Sequence, residues 1–527
     1  MNTIAALFST YDSERSVEIE RLRVCAGLTK PWILPPLDQR GDTRLPENYQ
    51  SLGSRGVTNL DGRILMGVFP PEIPWLRQQA AAEIRNDPTV APEDIQQLEA
   101  ALLFHDLIIQ ASLETSSRDP SDPAGFRTSM RQGISHTIVT GETLMRLSDD
   151  FKVTVYRRDH YVNQRDPAGK ITCHITREEV DLLTLTDAQI EMAGFSAADV
   201  AKMTRTERTK PLFTQIEWVH REKHWHITQE VNGKEINESI ETVSPYINPT
   251  YELVAGEHYA RGFIEGNFGD LRSLNTLSER ILDFAAMASK LLGFLDGGSE
   301  LKPEDFTKPS GSVIEGGRVV NGVLQDFAFL KVDKLSDFQV VFQTRESLRA
   351  DLSAAMLIPS GAVRDSERTT AYEVAAITIK ELEGALGGFY APLADRLQVP
   401  IAHRVRHVLE KSGKLPKIDV RAVELHTLTG IAALASMQKA TTLVGIAELV
   451  RGLGPEVAAR LDSGVLLDAY MRYRGIYEPG LIKTKEQMEK ELQQAMAAQA
   501  QAQAAEKTID VAGNVAESAM TQPQGPQ

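Results

Sequence analysis

Residues 269–295 read GDLRSLNTLSERILDFAAMASKLLGFL. Leu274, Leu277, Ile281, Phe284, Ala288, Leu291 and Leu295 follow one another at alternating spacings of three and four. At about 100° per residue, that pattern draws one apolar stripe along a helix. Arg272, Glu279, Asp283 and Lys290 fall close to one line on the opposite face. The segment predicts a two-sided helix about 38 Å long at a rise of about 1.5 Å per residue. One side packs, and the other meets water or a polar partner.

Working outward, residues 296–323 are rich in glycine and read as turns and short strands. A second helix is predicted over 337–357, where Phe338, Val341, Leu348, Leu352 and Ala355 keep the helical spacing and Arg345 interrupts it. Directly after it comes IPSGAVRDSERTTAYEV, residues 358–374. Its Gly361, Arg364, Asp365, Glu367 and Arg368 tempt a reading as a phosphate-binding catalytic loop. A P-loop needs two glycines around four residues, then lysine and a hydroxyl. Here one glycine is present, no lysine follows, and a helix precedes it. Thr370 to Glu373 instead has the form of a capping box, which starts a helix. That helix is predicted over 370–411 on a stripe of Ala375, Ile379, Leu382, Leu386, Phe389, Leu393 and Leu397, with Gly387–Gly388 and Pro392 bending or breaking it.

Toward the N-terminus, residues 12–112 read as several helices, the first opening at a cap on Asp12 or Ser13. The run YQSLGSRGVTNLDGRILMGVFPPEIPW is helical up to Pro70–Pro71, and further helices are expected near 92–115 and 125–147. Between 150 and 255 the pattern changes to a mixed α/β section, with hairpin turns at Asp166–Gly169 and Asn232–Gly233. Toward the C-terminus, 419–476 reads as helical, 484–506 is a strong helix former rich in Ala and Gln, and the last twenty or so residues lack a hydrophobic pattern.

The bulk composition excludes several classes. The chain has 527 residues and a net charge of −15, which argues against tight nonspecific duplex binding. Cys25 and Cys173 lie far apart, with no spacing for a thiolate metal site. No apolar run approaches the roughly 18–20 residues that span a bilayer, and the start lacks the basic region of a signal peptide. In WVHREKHWHI, His220, His224 and His226 suggest a metal, but no HExxH or cysteine partner accompanies them. Polar faces of a hairpin account for them. No catalytic residues and no cofactor are assigned.

Four stretches carry a resemblance: YQSLGSRGVTNLDGRILMGVFPPEIPW, YVNQRDPAGKITCHITREEV, HYARGFIEGNFGDLRSLNTLSERIL and RTTAYEVAAITIKELEGALGGFYAPLADRLQVPI. With their collinear order, the chain resembles the portal (head-to-tail connector) proteins of tailed phages, of the short-tailed podovirus type, from about residue 12 to about 500. The resemblance implies a mainly α protein with an α/β wing, in the portal fold of wing, stem, clip, crown and C-terminal helical barrel. The resemblance also implies assembly as a ring, typically of twelve subunits in this family, around a DNA channel.

On that resemblance, 1–268 is the wing and 269–295 and 337–357 are the stem helices. The clip is 296–336, the tunnel loop 358–369, and 370–418 a long bent helix returning to the wing. The crown is 419–483, the barrel helix 484–506, and 507–527 a disordered tail. Arg364, Asp365, Glu367 and Arg368 become tunnel-loop candidates facing DNA, and Arg272, Glu279, Asp283 and Lys290 the polar face of a stem helix. The implied partners are other copies of the chain, double-stranded DNA, terminase, a tail adaptor, and major capsid, scaffolding and internal core proteins. The implied place is the portal vertex of the virion, after assembly in the host cytoplasm, with no membrane and no enzymatic activity. Two other readings compete: an oligomeric helical adaptor or scaffold without a DNA channel, and a metal-dependent hydrolase using the histidine-rich hairpin.

Overall fold

A computed structural model describes residues 3–36, 45–70, 75–85, 87, 89–116, 125–288, 293–321, 323–329, 335–358, 390–418, 423–427, 430–452 and 463–474. It divides into two compact units, Met1–Leu434 and Ala435–Gln527. Only the longer helices are labelled below, as α1 to α10.

The first helices are α1 (Ile4–Glu14) and α2 (Ser16–Gly27). This corrects the expected start: Asp12 and Ser13 lie in the last turn of α1, whose cap is Thr3. The earlier start follows from tertiary contacts. The Glu230 carboxylate accepts hydrogen bonds from the Ile4 and Ala5 amides at 2.6 and 3.2 Å, where a helix N-terminus favours negative charge. Ile4 and Phe8 are buried with Val162 and Ile175 of the neighbouring sheet.

Helix α3 (Leu52–Val68) buries Leu52, Val57, Leu60, Ile64 and Val68. Strand β1 (Leu76–Ala80), α4 (Pro92–Ser116) and α5 (Gly125–Thr140) follow. The helix expected to reach 147 therefore ends at Thr140, and β2 is Leu144–Leu147. Gly141 has φ of +85°, and a Cβ there would meet the Ala260 backbone, so the chain can turn sharply from helix into strand. Strand β2 pairs with β3 (Val153–Tyr156) and β9 (Tyr246–Ile247) in an antiparallel sheet.

A second antiparallel sheet has the order β4-β5-β6-β7-β8, from Tyr161–Arg165, Ile171–Asp181, Thr209–Val219, His224–Val231 and Lys234–Glu241. Both expected turns are present. The Gly169 amide bonds to the Asp166 carbonyl, and Asn232 and Gly233 both have positive φ, as a two-residue primed turn requires.

Where the first helices meet the sheets, charges are buried. Glu142 is inaccessible, and its carboxylate accepts from Asn163 Nδ2 at 2.6 Å and Arg165 Nη2 at 3.1 Å. Arg158, also inaccessible, lies 3.9 Å from Glu142, donates to Glu18 at 3.0 Å and stacks over Tyr259 at 4.0 Å. Arg15 donates to the carbonyls of Arg158 and Tyr161 at 2.8 and 2.5 Å. The network ties α2, β4 and the segment before residue 262 together.

Helix α6 (Phe268–Ala288) and α7 (Leu335–Ala355) flank the glycine-rich excursion. Residues 293–295, expected as the end of a helix, are strand β10, paired with β13 (Phe327–Phe329). Between them lie β11 (Val319–Val320) and β12 (Val323–Leu324). Helix α8 is described from Tyr390 to Lys411, with Pro392 and Pro400 within that span. Leu393 and Leu397 of the expected stripe are buried, and the rest of that stripe lies outside the described residues. Arg404 fastens α8 to the body through Asp149 at 2.5 Å and Glu241 at 3.0 Å.

Residues 423–427, expected as helix, form β14, antiparallel to β1. The pairing gives both short strands their backbone hydrogen-bond partners, and a helix at 423–427 would leave β1 without its own. The second unit takes in α9 (Gly430–Gly452) from Ala435 onward and α10 (Ser463–Arg474), with Lys439 over the Tyr473 ring at 5.6 Å. The segment 484–506 and the tail lie outside the described residues.

Two stability predictions follow from the buried charges. Glu142→Ala leaves Arg165 without its carboxylate and Arg158 with Glu18 alone, and removing one member of a buried pair costs about 3–5 kcal/mol. The expected outcome is a large fall in the thermal unfolding temperature, smaller in Glu142→Gln, which still accepts from Asn163. The second concerns Asp106 on α4, which accepts from the Gln78 amide at 2.9 Å and its side chain at 2.8 Å. Burial pushes its carboxyl up to about 7 despite those bonds and the nearby charges of Arg77 and Arg406. An unfolded aspartate titrates near ~3.9. The folded state thus holds the proton more tightly, and that advantage is full below about pH 4 and lost as pH rises through 7. Urea midpoints measured from pH 4 to 8 should decline less steeply in Asp106→Asn than in the native chain.

Candidate functional site

The feature that departs from a compact body is the pair α6 and α7. Leu271 and Leu274 at the start of α6, and Leu352 and Met356 at the end of α7, are buried in the main core. The helices therefore leave and rejoin the body at one place, as an antiparallel hairpin about 31 Å long at ~1.5 Å per residue. Half-buried Leu277, Ile281, Val341 and Leu348 occupy its length, and Phe284 stacks on Phe338. Yet Leu282, Met287, Val340 and Phe342 are more than half exposed. Two helices with apolar side chains on outer faces are short of partners within one chain.

The excursion carried at the far end has a small core of its own. Phe306 stacks on Phe327 at 4.5 Å, Leu301 is buried, and the Asp326 carboxylate accepts from the Arg318 amide at 2.7 Å. Around it Phe294, Val313, Val319 and Val320 are exposed, Val313 by 91%.

At the root lies a groove of about 240 Å³ between the start of α3, α6 and α7. Arg55, Arg345 and Arg349 line it together with Leu274, Ile281 and Leu282. Arg345 is 3.0 Å from Glu346 and lies over the Phe342 ring at 5.3 Å. A basic rim over an apolar floor suits an acidic or amphipathic protein surface. Along the chain only Arg345 stands out, as an interruption of the apolar spacing, because Arg55 comes from a distant helix.

The predicted site residues fall as follows. Arg272 and Asp283 are exposed and Glu279 half-buried on α6, with Asp283 paired to Arg280 at 3.3 Å. Lys290, Arg364, Asp365, Glu367 and Arg368 lie outside the described residues. Leu274, at the head of the apolar stripe, lines the root groove, on the other side of α6 from Glu279 and Asp283.

The histidine-rich hairpin does not gather its histidines. His226 Nε2 is 2.6 Å from Glu238, and His224 Nδ1 is 3.5 Å from Glu222. Trp218 stands against Trp225 at 5.3 Å with Lys170 over its ring. Among the described residues, no group of three His, Cys, Asp or Glu side chains could hold a metal ion. None of their helices is long and apolar enough to cross a membrane.

Comparison with known proteins gives this architecture its relatives. The profile of a family described as "Bacteriophage head to tail connecting protein" matches residues 1–482. The chain belongs to that family. The portal protein of Escherichia phage T7 is 27% identical over 508 residues, covering 93% of this chain and 90% of that protein. The portal protein of Pseudomonas phage phiKMV is 26% identical over 529 residues, covering 97% of each. Among solved structures, a chain in the virion of a native gene transfer agent particle aligns at 11% identity over 75% of this connector-family chain and 85% of that chain, with a TM-score of 0.37.

The helical hairpin makes a direct prediction. Phe338→Ala removes a half-buried aromatic stack worth about 1–2 kcal/mol. Hydrogen exchange in the outer halves of α6 and α7 should accelerate about tenfold, as that energy implies, while the five-stranded sheet is unchanged.

Proposed function

We propose that the chain is the portal, or head-to-tail connector, of a short-tailed phage. Its copies form a ring at one capsid vertex, and DNA enters and leaves the head through the ring's axial channel. The observation that carries this reading is the connector-family match across residues 1–482. The described hairpin suits it: a closed ring covers the outer apolar side chains of α6 and α7 by packing each hairpin against its neighbours.

In this reading the wing comprises residues up to 267, together with α8. The stem is α6 and α7, the excursion between them is the clip, and 359–369 is the tunnel loop. The crown is 419–483, and within it β14 pairs with β1, which ties its first residues to the wing. The clip, with its exposed apolar side chains, docks terminase during packaging and the tail adaptor afterwards. Capsid, scaffolding and internal core proteins meet the outer parts of the ring.

Double-stranded DNA presents one charge per ~1.7 Å of axis. A ring of subunits each carrying −15 repels it overall, which favours sliding over sticking. Arg364 and Arg368 supply weak contacts to phosphates, repeated around the ring, with Asp365 and Glu367 limiting their strength. ATP hydrolysis belongs to the terminase partner. The oligomeric adaptor without a DNA channel remains the competing outcome.

Native mass spectrometry with negative-stain imaging tests the assembly. The expected result is a ring of about a dozen subunits with an axial hole. A stable monomer contradicts the proposal, and an oligomer without a DNA-wide hole selects the adaptor. Arg364→Ala with Arg368→Ala should leave the ring intact and lower the DNA retained per particle. Unchanged retention and packaging yield rules out the phosphate contacts.

A further inference from the structure

We infer that Gly56 and Asn59 on α3 are positioning residues: they form a clamp that sets the direction in which the chain leaves α7 toward residues 359–369. The inference rests on the proposed reading in which that segment faces DNA.

The last carbonyls of a helix have no donor within it. At the end of α7 two are met from outside: Asn59 Nδ2 donates to the carbonyl oxygens of Met356 at 2.9 Å and Leu357 at 2.8 Å. Leu357 has φ of +53°, the left-handed region that glycine usually fills at this position. The Ile358 amide bonds to the Ser353 carbonyl at 2.9 Å, the long bond of such a helix ending. A leucine does not hold that conformation readily by itself. The neighbouring helix holds it.

Gly56 lies one turn before Asn59 on the same face of α3. A methyl group there would overlap Met356 Sδ and stand 2.9 Å from its Cγ and 3.0 Å from its Cβ. The missing side chain lets the end of α7 approach closely enough for Asn59 to reach both carbonyls. Leu357 and Ile358 pack against the main core, which completes the hold. The contacts come from residues nearly 300 positions apart, as the Asn59 bonds record. They therefore couple the wing directly to the root of the segment that carries Arg364 and Arg368.

Such a clamp differs from an ordinary cap in what rescues it. In Asn59→Ala, loss of the two donated bonds should speed hydrogen exchange at the Leu357 and Ile358 amides about tenfold. Ring mass and exchange in the five-stranded sheet should stay as in the native chain. Asn59→Asp, equal in size but without the donor, should behave like alanine. Adding Leu357→Gly to Asn59→Ala should bring exchange back toward the native rate, because glycine adopts the left-handed conformation without an external hold. Retained DNA per particle should fall in Asn59→Ala and recover in the double variant. Native exchange in Asn59→Ala, or no rescue by Leu357→Gly, overturns the clamp. If Arg364→Ala/Arg368→Ala loses DNA while Asn59→Ala keeps it, the positioning role is overturned. If the arginine variant keeps its DNA, the tunnel-loop reading fails instead, and the exchange measurements still decide the clamp.

Discussion

Everything the protein projects outward depends on how one helical hairpin is rooted. Helices of this length are marginal in water by themselves. Here both ends near the body are driven into the main core, through Leu271 and Leu274 on α6, Leu352 on α7 and Met356 just after it. Burying each such side chain is worth about 1.5–3 kcal/mol, enough to fix the root while the outer length stays less supported. Off the stripe that carries Leu274, Leu282 and Met287 stay uncovered farther out. In the proposed ring, neighbouring copies cover these apolar side chains.

The body that receives this root is held by a different kind of interaction. Glu142, Arg158 and Arg165 exchange hydrogen bonds and charge out of contact with water. Such networks cost desolvation and add little net stability over apolar packing, but they punish any other arrangement. Arg15 and Glu18 bring the first two helices into the same network. Glu241 repeats the device where α8 meets the sheet, taking Arg404 and Lys411. Burial raises its pKa, but those hydrogen bonds and charges outweigh burial and leave it below the usual glutamate range. The body is thus pinned by charged contacts where the first helices and α8 meet the sheets.

Much of this was legible in the amino-acid sequence, and the failures have physical causes. The α6 stripe and the hairpin turns at Gly169 and Asn232–Gly233 are local signals, and local signals survive folding. The misread elements, β2, β10 and β14, are short strands of three to five residues whose identity comes from partners distant in the chain. Nothing near Val423–Thr427 announces its pairing with Leu76–Ala80. The true start of α1 depends on Glu230, more than 200 residues away. On α6, Arg272 and Asp283 are exposed and Glu279 is half-buried, while Lys290 lies outside the described residues. The basic groove and the Asn59 contacts join α3 to α7 and exist only in three dimensions. Gly56 and Leu357 carry no warning in the sequence, because a tolerated close approach and a leucine with positive φ are properties of the packed state.

A cryo-electron microscopy reconstruction of the assembled particle at side-chain detail tests the central claim most directly. The account predicts that the α6–α7 hairpins stand side by side around an axial channel wide enough for duplex DNA, with Leu282, Met287, Val340 and Phe342 covered by neighbouring copies. Hairpins splayed at the periphery, with those side chains still open to solvent and no axial channel, would contradict it.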